Sequence, residues 1–387
     1  MLQAITRERK LIIPALQKKN NIQQLRRNDY FCPSCKERVI LRAGDYVIPH
    51  FAHQRTSSCP ERQGETKNHL HGKLQLFHWL SLQNLSPYLE HYLPEINQYP
   101  DIQLSFRKKH FAIEYQCAKI PAKEILQRSN GFYQMDIYPL WILGANRLQR
   151  IGTHMLKIDT FTSRVIHQFA PHLPTQLFYY SSQQNQLLFI SDIYFTQRNR
   201  ALARFTYTPL KMTQFPQLFN STQLATASLF RNWLPLKQDI RLSNRPMYGK
   251  EKEFRIWLYE KGFHVQELPS IIFLPNKAQY RMNTPLLHWQ AKFVIEFLHP
   301  LMQGRSFTIR DIYSYLGFSR LLQSPLLNTS FRNDPVWLYL QQLSQLGIIS
   351  QTPNQQWVKR RPVYFFNELE KGLTGDKLVL EALLKKA

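Results

Sequence analysis

Two acidic residues, Asp101 and Glu114, lie in short apolar segments about a hairpin's length apart. Asp101 follows Pro100, and Glu114 follows the apolar run Phe111-Ala112-Ile113 and precedes Gln116 by two residues. Residues two apart on a strand share a face, so Glu114 and Gln116 would point the same way. Carboxylates on neighbouring strands could hold one Mg²⁺ or Mn²⁺, which would polarise a phosphodiester and help to deprotonate the attacking water. We therefore expect Asp101 and Glu114 to be magnesium ligands and Gln116 to orient the water.

A predicted helix before this pair carries Glu65, His69 and Lys73 at successive i, i+4 positions, which lie on one stripe. We expect Lys73 or His69 to face the phosphate, and Glu65 or Glu95 to complete the metal shell. A solvated helix face with a favourable order of Glu and Lys is the alternative interpretation. The apolar face of the same helix is formed by Leu70, Leu74, Phe77 and Leu80.

The N-terminal segment contains a second set of candidate ligands. Cys32 and Cys35 form a CxxC pair, and a predicted hairpin separates them from His50, His53 and Cys59. A tetrahedral Zn²⁺ needs four nitrogen or sulfur ligands, which this spacing supplies. We expect structural zinc on Cys32, Cys35, His53 and Cys59. His50 is the alternative to His53, which is preferred because it lies nearer Cys59.

These residues require an α/β scaffold to bring them together. The pattern predicts helix 65–81, strands near 101 and 113, helix 121–130 and strand 138–143. That order is typical of an α/β sandwich, with the basic segment Arg107-Lys108-Lys109 as the turn between the first two strands. Cys117, next to the acidic strand, is expected to be a small buried side chain.

The motifs, in their order and spacing, resemble the CoiA-like competence proteins of transformable Gram-positive bacteria. The resemblance implies a PD-(D/E)xK-type nuclease fold, with Gln116 where that motif usually has Lys, and action on incoming single-stranded DNA alongside recombination proteins. It rests on C-P-x-C (Cys32 to Cys35), P-H-F-A-H (Pro49 to His53), E-T-x-x-H-x-x-x-K (Glu65 to Lys73), Y-P-D (Tyr99 to Asp101), I-E-Y-Q-C (Ile113 to Cys117), Arg128, Tyr133 and W-I-L (Trp141 to Leu143).

The composition favours a polyanionic partner. The 387 residues contain 50 Lys and Arg against 26 Asp and Glu, a formal charge of +24, and 13% of the residues are aromatic. Such a chain is expected to bind nucleic acid in a salt-dependent way, with rings that could stack on unpaired bases. Apolar runs fall short of the roughly 20 residues that span a bilayer. Since the N-terminal run 11–13 is too short for a signal peptide, we expect a cytoplasmic protein without membrane insertion.

The C-terminal sequence predicts three helices followed by a hairpin, which is the winged-helix order. The helices would start near Thr284, Thr308 and Asp334, and the basic segment Lys359-Arg360-Arg361 would form a wing tip for phosphate contact. The predicted units are a zinc-ribbon-like module (1–62), a PD-(D/E)xK-type nuclease-like domain (63–150), a mixed α/β region (151–283) and a winged-helix-like α+β region (284–387).

Two functions fit this α/β multidomain sequence. The first is a competence protein that processes incoming single-stranded or branched DNA at a Mg²⁺- or Mn²⁺-dependent nuclease-like site. The second is a DNA-binding protein that assists recombinases. It would have the same fold and basic surface, but its pocket would not be catalytic. Whether the site cleaves is left open, because Gln in place of Lys is compatible with either function.

Overall fold

The chain begins with a small antiparallel sheet that carries the cysteines. The computed structural model describes residues 1–44, 47–54, 57, 59, 66–220, 223–244, 246, 248–317, 326, 327 and 334–386. Tyr30, Val39 and Phe51 form the core of this sheet together with Cys32 and Cys59. The first elements are β1 (Ala4–Ile5), β2 (Leu11–Ile12), α1 (Lys19–Leu25), β3 (Tyr30–Phe31), β4 (Arg38–Gly44) and β5 (Val47–His53). The strand order is β2-β1-β3-β4-β5, and the predicted hairpin is confirmed as β4 and β5.

The second sheet has nine strands and positions the acidic residues. In chain order its strands are β6 (Tyr88–Leu89), β7 (Ile102–Phe106), β8 (Lys109–Gln116), β9 (Ile137–Gly144), β10 (Gln149–Arg150), β11 (Met155–Lys157), β12 (Gln176–Ser181), β13 (Gln186–Gln197) and β14 (Arg200–Pro209). Their spatial order is β10-β11-β14-β13-β12-β9-β8-β7-β6. Strand β9 pairs in parallel with β8 on one side and with β12 on the other, and Glu114 lies opposite Trp141.

Helices α2 (Lys67–Ser81), α3 (Ala122–Gln134) and α4 (Thr160–Arg164) accompany this sheet. Helix α2 begins after Thr66, whose side chain accepts a hydrogen bond from the backbone N–H of His69. The predicted helix start at Glu65 lies outside the described residues. Gly72 lets α2 approach the sheet closely, because an added Cβ there would lie 2.2 Å from the Tyr115 ring. The residues of α2 on either side of Gly72 are thereby held over β8.

The predicted boundary at residue 150 falls inside the nine-stranded sheet. Strands β12, β13 and β14 lie beyond that boundary but belong to the same sheet, and β12 continues the hydrogen-bonded sheet directly from β9. Beyond β14, a 3-10 turn at Phe215–Phe219 packs its Phe215 ring against Phe111, with 5.4 Å between centroids. The sheet therefore forms one layer from β6 to this turn.

The remaining chain folds around a separate, mainly helical core. Buried Trp233, Phe273, Trp289 and Tyr339 belong to one apolar cluster, so the predicted boundary at 283 also lies within a common core. Its elements are α5 (Thr226–Leu242), α6 (Gly249–Glu260), α7 (Leu286–Lys292), a π-helical turn (Phe293–Leu298), β15 (Ser306–Phe307), α8 (Ile309–Leu316), α9 (Pro335–Gln345), β16 (Ile349–Gln351), β17 (Trp357–Lys359) and α10 (Leu369–Leu384).

The expectation of a basic wing tip is wrong. The turn between β16 and β17 carries uncharged residues 352–356, and Lys359 lies within β17 at 4% exposure. Its Nζ donates hydrogen bonds to the carbonyl oxygens of His299 and Leu301, at 2.9 and 2.6 Å. Lys359 thus satisfies carbonyl groups at the end of the α7 and π-helical segment. None of the helices within the described ranges is long and apolar enough to cross a bilayer.

Candidate functional site

A cavity of about 240 Å³ lies between α2 and the strand ends that carry the predicted acidic residues. It is lined by five of the predicted site residues, which are His69, Lys73, Asp101, Glu114 and Gln116. Glu65, which was also predicted, lies outside the described residues. These side chains come together because α2 and the ends of β7 and β8 converge at this point.

Lys73 is the most buried cation of the cavity. Its side chain is 2% exposed, and Nζ lies 2.8 Å from Glu90 Oε1 and 2.9 Å from Asp101 Oδ1. A buried ammonium is strongly unfavourable unless opposite charges compensate it, and these two carboxylates do so. Lys73 thus joins α2 to the two carboxylates on the opposite side of the cavity.

Asp101 is fixed by three neighbouring groups. Its Oδ2 accepts a hydrogen bond from the backbone N–H of Tyr115 at 2.8 Å, whereas Oδ1 faces Lys73 and lies 3.6 Å from His69 Nε2. The backbone bond links the start of β7 to β8, so the carboxylate is held next to the acidic strand. Asp101 is therefore positioned by the register of the hairpin.

Glu114 is 1% exposed and is paired with Arg128 of α3. Arg128 Nη2 lies 2.8 Å from Oε1 and 2.7 Å from Oε2, and it also donates to the Tyr99 carbonyl oxygen at 3.1 Å. Burial is the largest influence on Glu114 and outweighs Arg128, so the pKa of this carboxyl is raised to about 8. Its charge is therefore sensitive to pH near neutrality.

His69 is held as a cation. Burial alone would lower the pKa of His69, but the Asp101 carboxylate outweighs burial and raises that pKa to about 11. The ring also stacks on Tyr115, with 5.6 Å between centroids and 19° between planes. An imidazolium carries a positive charge and cannot act as a general base.

The remaining predicted residues differ in their placement. Gln116 lines the cavity, but its Nε2 donates to the Ala118 carbonyl oxygen at 2.8 Å. Glu95 is exposed and does not line the cavity. Tyr133 is also outside it and packs edge-on against Tyr138. Cys117 was predicted to be a small buried side chain, but it is half-buried and lines the cavity.

Two site residues were not predicted with the roles they occupy. Glu90 lies in the loop after β6 with a φ of 49°, and no local pattern in the sequence marks it. Arg128 was noted within the family motif but without a partner. A buried Lys73 requires a nearby carboxylate, but the sequence does not indicate whether Glu90 or Glu95 supplies it.

Each of the three acidic side chains that line the cavity already faces a basic one. Asp101, Glu90 and Glu114 face the side chains of Lys73, Arg128 and His69. Within the part of the chain that the structure describes, the only group of three or more His, Cys, Asp or Glu side chains close enough to share a metal ion is in the N-terminal sheet. A divalent cation at Asp101 and Glu114 would therefore compete with Lys73 and Arg128 for the same oxygens.

The N-terminal group consists of Cys32, Cys35, His53 and Cys59, whose ligand atoms all lie within 4.8 Å of one another. Cys35 Sγ and His53 Nε2 are 3.3 Å apart, whereas His50 lies outside the group and donates from Nδ1 to the Ile48 carbonyl oxygen. These four residues could hold one metal ion, and the preference for His53 over His50 agrees with this arrangement.

The chemistry of this donor set suits a soft or borderline divalent cation. Burial raises the pKa of the Cys32 thiol to about 12. A bound cation would reverse this effect, because it stabilises the thiolate that coordinates it. The turn is closed by two backbone bonds, from Lys36 N–H to Cys32 O at 3.1 Å and from Cys32 N–H to Glu37 O at 2.9 Å. The thiol pair is thus presented on a tight turn.

Three sequence models of a single family match the chain in succession. The N-terminal domain of competence protein CoiA matches residues 15–62, its nuclease-like domain residues 65–223 and its C-terminal domain residues 229–373. The competence protein CoiA of Bacillus subtilis (strain 168) is 28% identical over 373 residues, which cover 92% of this chain and 96% of that relative. No solved structure gives a significant match. With its three domains in the same order, the chain belongs to the CoiA family of competence proteins.

Proposed function

We propose that this protein processes incoming single-stranded or branched DNA during natural transformation, at a divalent-metal nuclease-like site. One observation carries the proposal: Asp101, Glu114 and Lys73, from three different elements, converge on one cavity. The relative from Bacillus subtilis is named a competence protein, and the matched central domain is described as nuclease-like. We place the activity in the cytoplasm, together with recombination proteins as partners.

Asp101 and Glu114 are the proposed ligands of Mg²⁺ or Mn²⁺. When bound, the ion would neutralise charge on the phosphate and acidify a water molecule. Arg128 would have to release at least one oxygen of Glu114, since Nη2 now contacts both. Lys73 and His69 would attract the phosphate oxygens, and the Gln116 amide would turn from Ala118 to orient the water.

Structural zinc is the proposed occupant of the N-terminal cluster. Three thiols and one imidazole at mutual distances within 4.8 Å match the ligand preference of tetrahedral Zn²⁺. The small core around these residues gives the module little apolar burial of its own. Metal binding would therefore contribute much of its folding free energy, as in other small zinc modules such as a zinc ribbon.

The C-terminal elements support a winged-helix-like unit whose helix α9 does not contact DNA. The order β15, α8, α9, β16 and β17, with a three-stranded sheet, supports this assignment. Helix α9 stands where a recognition helix would be, but Tyr339 is fully buried and its hydroxyl donates to the Ile271 carbonyl oxygen at 2.8 Å. We therefore assign DNA contact to other surfaces.

DNA binding is proposed to be mainly electrostatic, given the formal charge of +24. Affinity should fall with salt, with a log-log slope of magnitude about 0.7 for each single-strand phosphate contacted. A salt-independent affinity would contradict this part of the proposal. Exposed tyrosines, including Tyr88 and Tyr248, could add stacking on unpaired bases.

The test is incubation of the purified protein with labelled single-stranded and branched DNA in Mg²⁺, Mn²⁺ or EDTA. Metal-dependent cleavage by the wild type, and its loss in Asp101→Asn and Glu114→Gln with DNA affinity retained, would support the proposal. Asp136→Asn and Glu124→Gln are matched controls, because both side chains are exposed and lie outside the cavity. Cleavage that persists in Asp101→Asn would contradict the assignment of the site.

A non-catalytic DNA-binding factor that assists recombinases is the second candidate. It is favoured by Lys73 and Arg128, which already contact the Asp101 and Glu114 oxygens that a metal ion would need. Absence of cleavage under every metal, combined with normal transformation by Asp101→Asn, would favour this function. Absence of cleavage combined with lost transformation would instead assign the acidic residues a non-nucleolytic role.

A further inference from the structure

We propose that Glu90 couples the N-terminal metal module to the nuclease-like cavity. One carboxylate oxygen of Glu90 accepts hydrogen bonds from the backbone just before β1, and the other contacts the Lys73 ammonium group. Glu90 is thus a positioning residue, which acts on the cavity through Lys73. The coupling itself can be measured without DNA, and only its consequence for catalysis rests on the proposed function.

The contacts of Glu90 divide between two parts of the molecule. Oε2 accepts hydrogen bonds from the backbone N–H groups of Leu2 and Gln3, at 2.6 and 3.2 Å. The Gln3 side-chain amide also donates to the Glu90 carbonyl oxygen. Oε1 lies 2.8 Å from Lys73 Nζ. Glu90 itself is buried and has a left-handed backbone, which holds the carboxylate between these groups.

The segment held by Oε2 is built into the metal module. The backbone N–H of Phe51 donates to Met1 O at 3.0 Å, and Phe51 precedes His53 by two residues on β5. On its other side, Ile5 of β1 pairs with Phe31, the neighbour of Cys32. The position of the N-terminal segment therefore depends on β5, which carries His53, and on β3, which ends immediately before Cys32.

The group held by Oε1 belongs to the cavity. Lys73 is shared between Glu90 and Asp101, at 2.8 and 2.9 Å. A weaker hold by Glu90 would shift Lys73 towards Asp101 and make Asp101 a poorer ligand for a divalent cation. Order in the metal module thus limits how tightly Lys73 holds Asp101. By reciprocity, the Glu90 contacts should also strengthen metal retention in the module.

The first experiment measures how accessible Lys73 is. The full chain is treated with an acetylating reagent, and modification of Lys73 is quantified by peptide mass spectrometry. Cys59→Ser should raise the rate at Lys73 about tenfold, within the usual range of coupling between sites. His50→Ala is the matched control, because His50 lies on β5 but outside the cluster. Lys119, whose side chain is 62% exposed, should react equally in all variants.

The reciprocal experiment measures metal release to a chromogenic chelator. Glu90→Gln should release the N-terminal metal several-fold faster than the wild type, whereas exposed Glu95→Gln should not. If Glu90→Gln does not fold, Gln3→Ala tests the same link, since it removes one donor to Glu90 and leaves the cluster and the cavity side chains intact.

The proposal is overturned if Lys73 stays equally protected in Cys59→Ser, or if metal release from Glu90→Gln equals that from Glu95→Gln. Neither measurement involves cleavage. A protein that never cuts DNA but shows both effects would retain the coupling and lose only the proposed nuclease activity.

Discussion

Arg128 places one terminal nitrogen against both carboxylate oxygens of Glu114, at 2.8 and 2.7 Å. The same guanidinium lies 5.8 Å from the centre of the Trp141 ring, which belongs to the strand next to Glu114. Helix α3 thereby compensates the most deeply buried acid of the cavity. The pair also sets a barrier to metal entry, because a cation must share or replace the guanidinium.

Arg128→Met should destabilise the protein by about 2 kcal/mol, because it leaves the buried Glu114 carboxyl without its partner. The free energy of unfolding in urea measures this change. Arg147→Met is a matched control, since Arg147 lies 5.1 Å from the Phe161 ring and 3.2 Å from Asp159. Because Asp159 is partly exposed, the loss of stability in Arg147→Met should stay below about 1 kcal/mol. Equal effects of the two variants would argue against a stabilising buried contact between Arg128 and Glu114.

The stability difference between wild type and Glu114→Gln should depend on pH. Because burial raises the pKa of Glu114 to about 8, the folded state binds a proton that the unfolded state releases above pH 4.5. The contribution of Glu114 is therefore fully present below pH 4.5 and lost as pH rises through about 8. From pH 5 to 9 the free energy of unfolding of the wild type should fall relative to that of Glu114→Gln, whose side chain at this position does not titrate. A constant difference would contradict the raised pKa.

Removal of a single cluster ligand should release the N-terminal metal. His53→Ala should lower the metal content of protein purified without chelator, while His50→Ala should retain it, since only His53 lies in the cluster. Elemental analysis of both variants provides the measurement. Retention of full metal content by His53→Ala would exclude the proposed ligand set.

Gly72→Ala should disturb the cavity through packing. The added methyl group would meet the Tyr115 ring at 2.2 Å, so α2 or the ring must move, at a cost of about 1 to 3 kcal/mol. A lower thermal midpoint is expected, together with weaker cleavage if the nuclease proposal holds, because Lys73 and His69 lie on the same helix. Gly152→Ala is the control, as its nearest neighbour would lie 3.5 Å away. Similar midpoints for both variants would contradict a tight contact at Gly72.

Part of the site could be predicted from the periodicity of single helices and strands. The period of two along a strand put Glu114 and Gln116 on one face, and the period of a helix put His69 and Lys73 on one stripe. Both relations survive in the structure because each depends on one element only. Glu90 could not be found in this way, since a loop residue with a φ of 49° is placed by tertiary contacts.

The fold, like the site, has features with a local sequence signal and features without one. Helices α2 and α3 and strands β7, β8 and β9 were predictable from apolar spacing, but the parallel pairing of β9 with β12 joins segments separated by a long connection and has no local signal. The predicted boundary at residue 150 therefore fell within one sheet. Lys359 illustrates the same problem for charge, because a lysine that caps carbonyl groups and one that contacts phosphate are identical in sequence.

The two parallel partners of β9 also restrict how the chain can be divided for expression. A fragment that ends at residue 150 would lack β12, and the backbone of β9 between Ile142 and Gly144 would become an open edge. Exposed apolar edges recruit strands from other molecules and promote aggregation. A recombinant fragment of the nuclease-like region that resists aggregation should therefore extend through the Phe215–Phe219 turn, in which Phe215 packs on Phe111 of β8.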